Sequence, residues 1–444
     1  MRRLLVVLLW VVATTCAAWA ADEPIAQLAK KTVVKKAAAK SEAAAKVWSV
    51  TQSTEVRYFS WQSNRGVPVG VPPASNGGRG AQLYVPYALQ LVGRPHEDVK
   101  IELLGRGGWV WARQSTAGLT GEVATTTDTV ASGTFTYLGL NGIQPFAALS
   151  LNIPTGRSAL FGTAANARMD PDMVDVATFG EGFNMGPTIG ANVPITASLI
   201  VTASAGYTRR GHYDRENSLA LPPQTPPTVQ TPTLVDPGDV TTIYGSIGYQ
   251  DDAFAGKLTG SISEETATTE NGSPLYRAGR RYLATGTWAF TWPNVATTTL
   301  TASASHSNRN DVLFVGAPDL IKEVMNTNSN LYRVGIQTLF LLDDFVIGPT
   351  GSFLHRDRNG YDPTTLQFVP AKDRWAAGLL MRFAPDEHVT FNARFEHVWT
   401  RENENLAPNG QKFSVLANAF VAGSSVPVVS STGWQAVVGV TGRF

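Results

Sequence analysis

The chain has 444 residues, 43% of them hydrophobic and only 16% charged, with 36 Lys and Arg residues against 35 Asp and Glu residues. This composition is too apolar and too aromatic for a disordered chain, and the near-neutral charge gives no reason to expect a nucleic-acid partner. No run of about 18 apolar residues follows the N-terminal region, so we expect no membrane-spanning helix in the mature chain. A chain of many amphipathic strands is the class that remains.

The N-terminus has the pattern of an export signal. Two arginines follow Met1, an apolar run covers residues 4–12, and Ala18 and Ala20 supply the small residues that a signal peptidase recognises. We therefore predict a signal peptide over residues 1–20.

Cys16 is the only cysteine of the chain. A lipoprotein anchor at Cys16 is the alternative interpretation, but a lipobox carries a Leu-type residue three positions earlier, where this chain has Ala13. Cleavage after Ala20 leaves a mature chain without cysteine, so its fold must be held by something other than disulfide bonds.

Residues 21–46 are rich in alanine and contain six of the eleven lysines of the chain. Alanine favours helix, and Glu42 and Lys46 stand at a favourable i,i+4 spacing. We predict a basic, partly helical periplasmic arm that acts as a tether. Docking of the arm on an anionic polymer and plugging of a lumen by the arm are the alternatives.

From residue 47 onward, apolar side chains recur at every second position, which is the period of a β-strand. In one clear case Trp375, Leu379 and Phe383 share one face, and Arg374 and Arg382 share the other. The predicted strands cover residues 47–61, 81–92, 98–113, 121–137, 144–153, 181–192, 195–209, 240–250, 254–266, 280–292, 295–308, 329–342, 345–357, 373–384, 387–400 and 432–444. The fourth strand gives little contrast, so fourteen and eighteen strands remain alternatives to sixteen.

Three features favour a membrane-spanning barrel over a soluble sandwich. Most of the strands are about 10 to 14 residues long, which suits a tilted crossing of hydrocarbon. Short turns alternate with long polar loops, as they do between the periplasmic and extracellular ends of a barrel. Aromatic residues that we assign to a headgroup girdle gather near strand ends; they are Tyr58, Trp61, Trp109, Trp111, Trp292 and Trp399. The predicted fold is all-β: a membrane-spanning antiparallel up-and-down β-barrel of about sixteen strands over residues 47–444.

The last strand ends in an aromatic residue. Apolar residues precede Phe444 at alternate positions, among them Trp434, Val438 and Val440. This pattern resembles the assembly signal of Gram-negative outer-membrane barrels. The resemblance implies export to the outer membrane, recognition of Phe444 by the barrel assembly machinery, and contact with outer-membrane lipid and lipopolysaccharide.

A second, narrower resemblance concerns residues 121–156, which end in Leu-Asn-Ile-Pro-Thr-Gly. This stretch resembles outer-membrane transporters linked to phenol meta-cleavage pathways. Those chains are usually shorter, and a Pro-Thr-Gly corner is also an ordinary turn signal. The resemblance implies a transporter, and we infer no substrate from it.

If the apolar face of every strand contacts lipid, the opposite face lines a lumen with more cations than acids. The cations are Arg57, Lys100, Arg106, Lys257, Arg281, Arg333, Arg356, Arg374, Arg382, Arg394 and Arg443, and the acids are Glu55, Glu102, Glu265 and Glu396. The predicted pore-lining residues are Arg57, Arg106, Arg281, Arg333, Arg356, Arg374, Arg382, Arg394 and Glu396. Such an excess predicts a mild preference for anions. In the alternative, the arginines pair with the acids and hold the wall together.

The loop over residues 154–180 is the candidate constriction, because it carries Arg168, Asp170, Asp172 and Asp175. In general porins, which the chain resembles in strand number, the third loop folds inward and its acids face an arginine ladder. The alternative is an external loop in which Asp-Pro-Asp is only a turn. The glycine and the distal glutamate of a calcium-binding loop do not follow Asp170 and Asp172 at the required spacing, so we predict no metal site. The loop over residues 210–239 is rich in proline and is predicted to be external.

The sequence thus predicts a pore or transporter for passive diffusion of small solutes. A structural barrel with a plugged lumen is the alternative, and an outer-membrane lipase is a less favoured one. The stretch from Trp61 to Asn64 resembles the His-x-Ser-Asn pattern of outer-membrane phospholipases, but Trp61 occupies the place of the general base that Ser63 needs. We predict no catalytic residue, no cofactor and no enzymatic activity. Substrate and oligomeric state are not predicted.

Overall fold

A computed structural model describes residues 48–64, 77–116, 119–140, 142–215, 233–343, 345–423 and 425–444. The predicted signal peptide, the basic arm and the proline-rich centre of the loop over 210–239 lie outside the described residues. Among the helices of the described residues, none has the length and apolar character needed to cross a membrane.

Sixteen long strands follow one another along the chain. They are β1 (Trp48–Ser63), β2 (Arg79–His96), β3 (Val99–Thr116), β4 (Leu119–Thr126 and Thr129–Tyr137), β5 (Gln144–Ile153), β6 (Asn184–Pro194), β7 (Leu199–Arg210), β8 (Val240–Gln250), β9 (Phe254–Glu265), β10 (Arg281–Trp292), β11 (Ala296–Ser307), β12 (Leu331–Leu342), β13 (Phe345–Arg356), β14 (Lys372–Phe383), β15 (Val389–Glu402) and β16 (Val429–Arg443). The predicted strands are confirmed, with ends that differ by a few residues.

The sheet closes on itself. Each strand pairs antiparallel with its neighbours in the chain, and β16 returns to pair antiparallel with β1, from Thr51 opposite Arg443 to Ser63 opposite Ser431. Closure leaves no strand edge with unpaired backbone groups. The strand number is therefore sixteen, and the fourteen- and eighteen-stranded alternatives are excluded.

The outer face of the barrel is apolar. Leu379 and Val438 lie on it and are 57% and 60% exposed. Aromatic side chains pack together near both ends: Phe345 stacks on Phe383 at 4.5 Å near the short turns, and Phe353 lies 5.6 Å from Trp375 toward the long loops. Only a lipid environment removes such an outer surface from water, so the fold is that of a membrane-spanning barrel.

The two ends of the barrel differ in their connections. At one end the connections have two to six residues, and Asn294 and Asp343 adopt the positive φ of tight turns (58° and 54°). At the other end the loops are long, except between β3 and β4, and six short strands of the described residues pair in a sheet outside the barrel wall. These strands are Tyr213–Arg215, Thr233–Asp236, Thr268–Glu270, Ser273–Arg277, Asp311–Val312 and Ile321–Lys322.

The alternation of β4 changes phase at a bulge. Arg106 lies opposite Val130 but Trp109 lies opposite Thr126, so β4 carries one extra residue between its two segments. On one side of the bulge the odd-numbered Val123 is buried inside the barrel, and on the other the odd-numbered residues face outward. This change of phase explains why the sequence of the fourth strand shows little contrast.

One girdle assignment is wrong. Trp61 was expected beside Tyr58 in the outer girdle, but it lies three residues further along β1 and therefore on the opposite face. Its side chain is 8% exposed inside the barrel, where the indole Nε1 donates to the sulfur of Met169 at 3.4 Å. Trp61 therefore belongs to the interior of the barrel and not to the lipid boundary.

Candidate functional site

The connection between β5 and β6, residues 154–183, enters the barrel; we call it the inward loop. Its apolar side chains pack on the inner faces of β1, β3, β4, β14 and β15. The buried loop residues are Leu160, Ala167, Met169, Val174, Val176 and Phe179, and the wall residues beneath them are Phe59, Trp61, Val110, Ala112, Val123, Ala376 and Val398. The loop thus covers one side of the lumen, through the arc that runs from β14 past the closure to β4.

Two glutamine side chains fix the backbone of the inward loop to this arc. The amide of Gln82, on β2, donates from Nε2 to the carbonyl of Val176 at 2.7 Å and accepts the Val176 N–H at 3.0 Å. Gln114, on β3, donates to the carbonyl of Asn166 at 2.6 Å. Because Gln82 is only 2% exposed, loss of this pairing would leave buried polar groups unsatisfied.

The acids of the inward loop meet a buried cluster of charged wall residues. The Nζ of Lys372 contacts Asp170, and it lies 3.3 Å from Asp172 and 3.2 Å from Glu402. Arg356 pairs with the same Asp172 at 2.9 Å and with Glu402 at 3.5 Å. The side chains of Lys372 and Asp172 are 3% and 4% exposed. We call these five residues the charged cluster; it fastens the tip of the loop to β13, β14 and β15.

The third loop acid makes a separate contact. Asp175 lies 3.7 Å from Arg57 on β1, and Arg57 also pairs with Glu55 at 2.7 Å. Arg168 serves the loop itself: one guanidinium nitrogen donates to the carbonyl of Ser158 at 2.9 Å, which joins the two arms of the loop. Asp170 and Asp172 also form the expected turn, since the Asp172 N–H donates to the Asp170 carboxylate at 3.0 Å.

Four of the remaining predicted wall cations differ in whether they pair with an acid. Lys100 pairs with Glu102 at 2.6 Å, and Arg394 lies 3.6 Å from Glu396, as the alternative of paired arginines expects. Arg333 and Arg374 lie on either side of Leu354 in the sheet, on β12 and β14. Neither forms an ion pair within the part of the chain that the structure describes, and Nε of Arg374 has no hydrogen-bond partner there.

The other predicted pore residues lie on inward faces at other heights. Arg106 is on β3, Arg281 on β10 and Arg382 on β14, each in phase with the inward-facing residues of its strand. The structure therefore gathers Asp170, Asp172 and Arg356 in one cluster and leaves Arg106, Arg281 and Arg382 outside it.

Sequence analysis missed two members of the charged cluster, Lys372 and Glu402. The predicted strands began at residue 373 and ended at residue 400, so both residues were assigned to loops. Extending the alternation by one more step in each strand places Lys372 in phase with Arg374, and Glu402 in phase with Thr400. This extension is the signal that could have found them.

Near the C-terminal end of the inward loop, another ion pair joins two strands. Arg210 and Glu265 lie 2.8 Å apart, on β7 and β9. Burial raises the pKa of the nearby loop residue Glu181, while the positive charge of Arg210 opposes that shift. An exposed tyrosine hydroxyl titrates near 10. Here burial, with Glu181 nearby, raises the pKa of Tyr213 to about 12.

The lipase alternative needs a histidine near Ser63, at the end of β1. Trp61 holds the position that the motif gives to histidine, and its ring is committed to Met169. His306 lies on β11, where its ring pairs with Asn330 at 2.7 Å. These contacts give no support to a nucleophile at Ser63.

The chain matches no protein-family model and no curated protein sequence. Among solved structures, it is similar to an outer membrane channel from Pseudomonas putida F1, with a TM-score of 0.37 and 11% identity over 67% of this chain and 99% of that one. OpdQ from Pseudomonas aeruginosa gives a TM-score of 0.41 and 9% identity over 89% and 98% of the two chains. A mutant TodX monoaromatic hydrocarbon channel gives 0.39 and 11% over 90% and 91%.

The barrel assignment rests on strand register and on the apolar outer face, and these likenesses add nothing to it. The class that the chain's own geometry defines is a sixteen-stranded membrane-spanning β-barrel with a loop folded into its lumen.

Proposed function

We propose that this chain is an outer-membrane pore for the passive diffusion of small solutes, with a mild preference for anions. The observation that carries the proposal is the contrast between the two sides of the lumen. The arc under the inward loop is buried, whereas several inward-facing hydroxyls on β9, β10 and β11 are half-exposed. These hydroxyls include Ser261, Thr285, Thr287, Thr301 and Ser303. A polar space inside a closed barrel of this width holds water and lets small solutes pass.

The anion preference rests on two wall cations that form no ion pair with the acids of the described residues. The two cations of the charged cluster offset two of its three acids, and Arg333 and Arg374, which form no ion pair within the described residues, are the guanidinium groups left to attract a permeating anion. In a narrow channel with low-dielectric walls, such fixed charges raise the local concentration of anions. The narrower resemblance to phenol-pathway transporters stays a prediction.

A planar bilayer recording tests both parts of this proposal. The purified barrel should give discrete, ohmic openings, and in a KCl gradient the reversal potential should shift toward the equilibrium potential of chloride. A shift toward potassium would refute the anion preference. Absence of conductance would refute the pore.

A plugged structural barrel is the second candidate, and the packed inward loop is the observation that favours it. The basic arm is the other candidate plug. Deletion of residues 22–46 distinguishes the two, because conductance that appears only after this deletion would identify the arm as the plug. Conductance in the intact chain excludes both.

Outer-membrane placement predicts a role for the terminal residue. Phe444 exchanges two backbone hydrogen bonds with Val50, both 2.9 Å, and its ring stacks on His388. We expect Phe444→Ala to lower the yield of assembled barrel in outer-membrane fractions severalfold, measured by heat-modifiable migration on gels. Phe345→Ala is the matched control, because Phe345 is also an outward-facing aromatic residue near the short turns. Equal losses in the two variants would contradict a specific assembly signal.

A further inference from the structure

The bulge in β4 places a carboxylate where the inward loop leaves the barrel wall. Asp128 lies between the two segments of β4, next to the register shift opposite Gly107 and Gly108. β5 pairs with the second segment of β4 up to Thr129, opposite Ile153. The first residues of the inward loop therefore leave the wall beside Asp128.

The carboxylate of Asp128 binds both ends of the inward loop. Oδ1 accepts the backbone N–H of Gly156, near the start of the loop, at 2.9 Å. Oδ2 accepts the backbone N–H of Glu181, near its end, at 2.7 Å, and the side-chain amide of Asn152 at 2.7 Å. Hydrogen bonds to a carboxylate are stronger than those between neutral groups, so these contacts hold the base of the loop firmly.

The two arms of the loop cross at this point with no room for side chains. A Cβ on Gly156 would lie 2.0 Å from the carbonyl oxygen of Phe179, and a Cβ on Gly180 would lie 2.7 Å from the carbonyl carbon of Gly156. Both crossing positions are therefore glycine. Thr155 adds a neutral bond, donating to the carbonyl of Thr127 at 2.9 Å.

We infer that Asp128 is the positioning residue that sets the bore of the pore, because it fastens both ends of the loop that covers one side of the lumen. The inference rests on the proposed function. The charged cluster fixes the tip of the loop and Asp128 fixes its base. Without Asp128, Gly156 and Glu181 lose the carboxylate that binds their backbone N–H groups together.

Conductance is the first test. A sixteen-stranded barrel is wide enough for an aqueous channel once no loop fills it, so we expect Asp128→Ala to raise single-channel conductance about twofold. Asp128→Asn keeps one acceptor oxygen and should give an intermediate value. Asp251→Ala is the matched control: Asp251 accepts the N–H groups of Ala253 and Phe254, both at 2.8 Å, in a turn far from the inward loop. It should leave conductance unchanged.

Trypsin provides a readout that does not depend on conductance. The inward loop contains Arg157 and Arg168, and cleavage after them, located by mass spectrometry, should occur in Asp128→Ala and not in the wild type or in Asp251→Ala. If the wild type gives no conductance, the proposed function fails, while this cleavage pattern still supports fastening by Asp128. If Asp128→Ala conducts like the wild type, the inference is overturned whether or not the loop is cut.

A crosslink distinguishes displacement of the inward loop in Asp128→Ala from a general loss of stability. The described residues contain no cysteine, so Gln82→Cys and Val176→Cys can be joined by a short bismaleimide. In the Asp128→Ala background, this crosslink should restore the lower conductance, because it returns the loop to β2. Persistence of the higher conductance after crosslinking would overturn the inference.

Discussion

Replacement of Lys372 by methionine is expected to destabilise the barrel by about 3–5 kcal/mol, the cost of removing one partner from a buried ion pair. The substitution keeps most of the side-chain volume but leaves Asp170, Asp172 and Glu402 with Arg356 as their only cation in the charged cluster. Three acids around one cation in a buried site repel one another. Chemical unfolding in detergent micelles, followed by tryptophan fluorescence, measures the change in the free energy of unfolding.

Lys257→Met is the matched control for this prediction. Lys257 also faces inward, on β9, but its side chain is exposed. We expect its loss to change the free energy of unfolding by less than about 1 kcal/mol, as for most exposed charges. Adding Asp170→Asn to Lys372→Met removes one of the repelling charges, so the double variant should recover part of the loss. Equal destabilisation by Lys372→Met and Lys257→Met would contradict the role of the cluster.

The second large effect concerns ion selectivity. We expect the double variant Arg333→Gln and Arg374→Gln to lower the chloride-to-potassium permeability ratio about five- to fifteenfold, because each charge attracts chloride and repels potassium. A unit charge about 6 Å from a permeating ion contributes about 0.7 kcal/mol in water, and salt at about 0.1 M screens part of it. Two such charges together give the expected range. Reversal potentials in a KCl gradient measure the ratio.

Arg79→Gln with Arg401→Gln is the control with the same change in net charge. Both residues are exposed and belong to the outward face of the barrel at its long-loop end. They should leave the permeability ratio unchanged, because they do not face the lumen. If this pair shifts the ratio as much as the lumen pair, selectivity depends on net charge and not on Arg333 and Arg374.

Most of the fold could be predicted from the sequence because a membrane barrel repeats one local rule. The alternation seen at Trp375, Leu379 and Phe383 recurs in strand after strand, and each strand pairs with the next, so the order of pairing follows from the order in the chain. The alternation predicts the wrong face for a residue where a bulge interrupts the strand. The bulge in β4 changes its phase, and Asp128, the residue that the bulge places at the loop base, carries no local signal.

The interior of the barrel was less predictable because its contacts join distant parts of the chain. The loop acids were found from composition, yet Asp172 lies 184 residues before Arg356, and nothing local pairs them. Trp61 shows the same limit. Its position near a strand end suggested the lipid boundary, and only its face and the loop packed against it reveal an interior role. The local sequence pattern predicts the strands of the barrel wall. The loop and the side chains inside the barrel depend on packing between distant parts of the chain.

The inward loop packs on a single arc of the wall, so in the proposed pore the free cross-section would be a crescent and not a disc. In the proposed pore, a travelling solute would touch hydroxyl-bearing strands on its outer side and the loop on its inner side. A crescent admits thin or flat molecules that a round opening of equal area would stop, and it stops round ones of equal volume. Sizing such a conduit with spherical probes would therefore understate what it can pass.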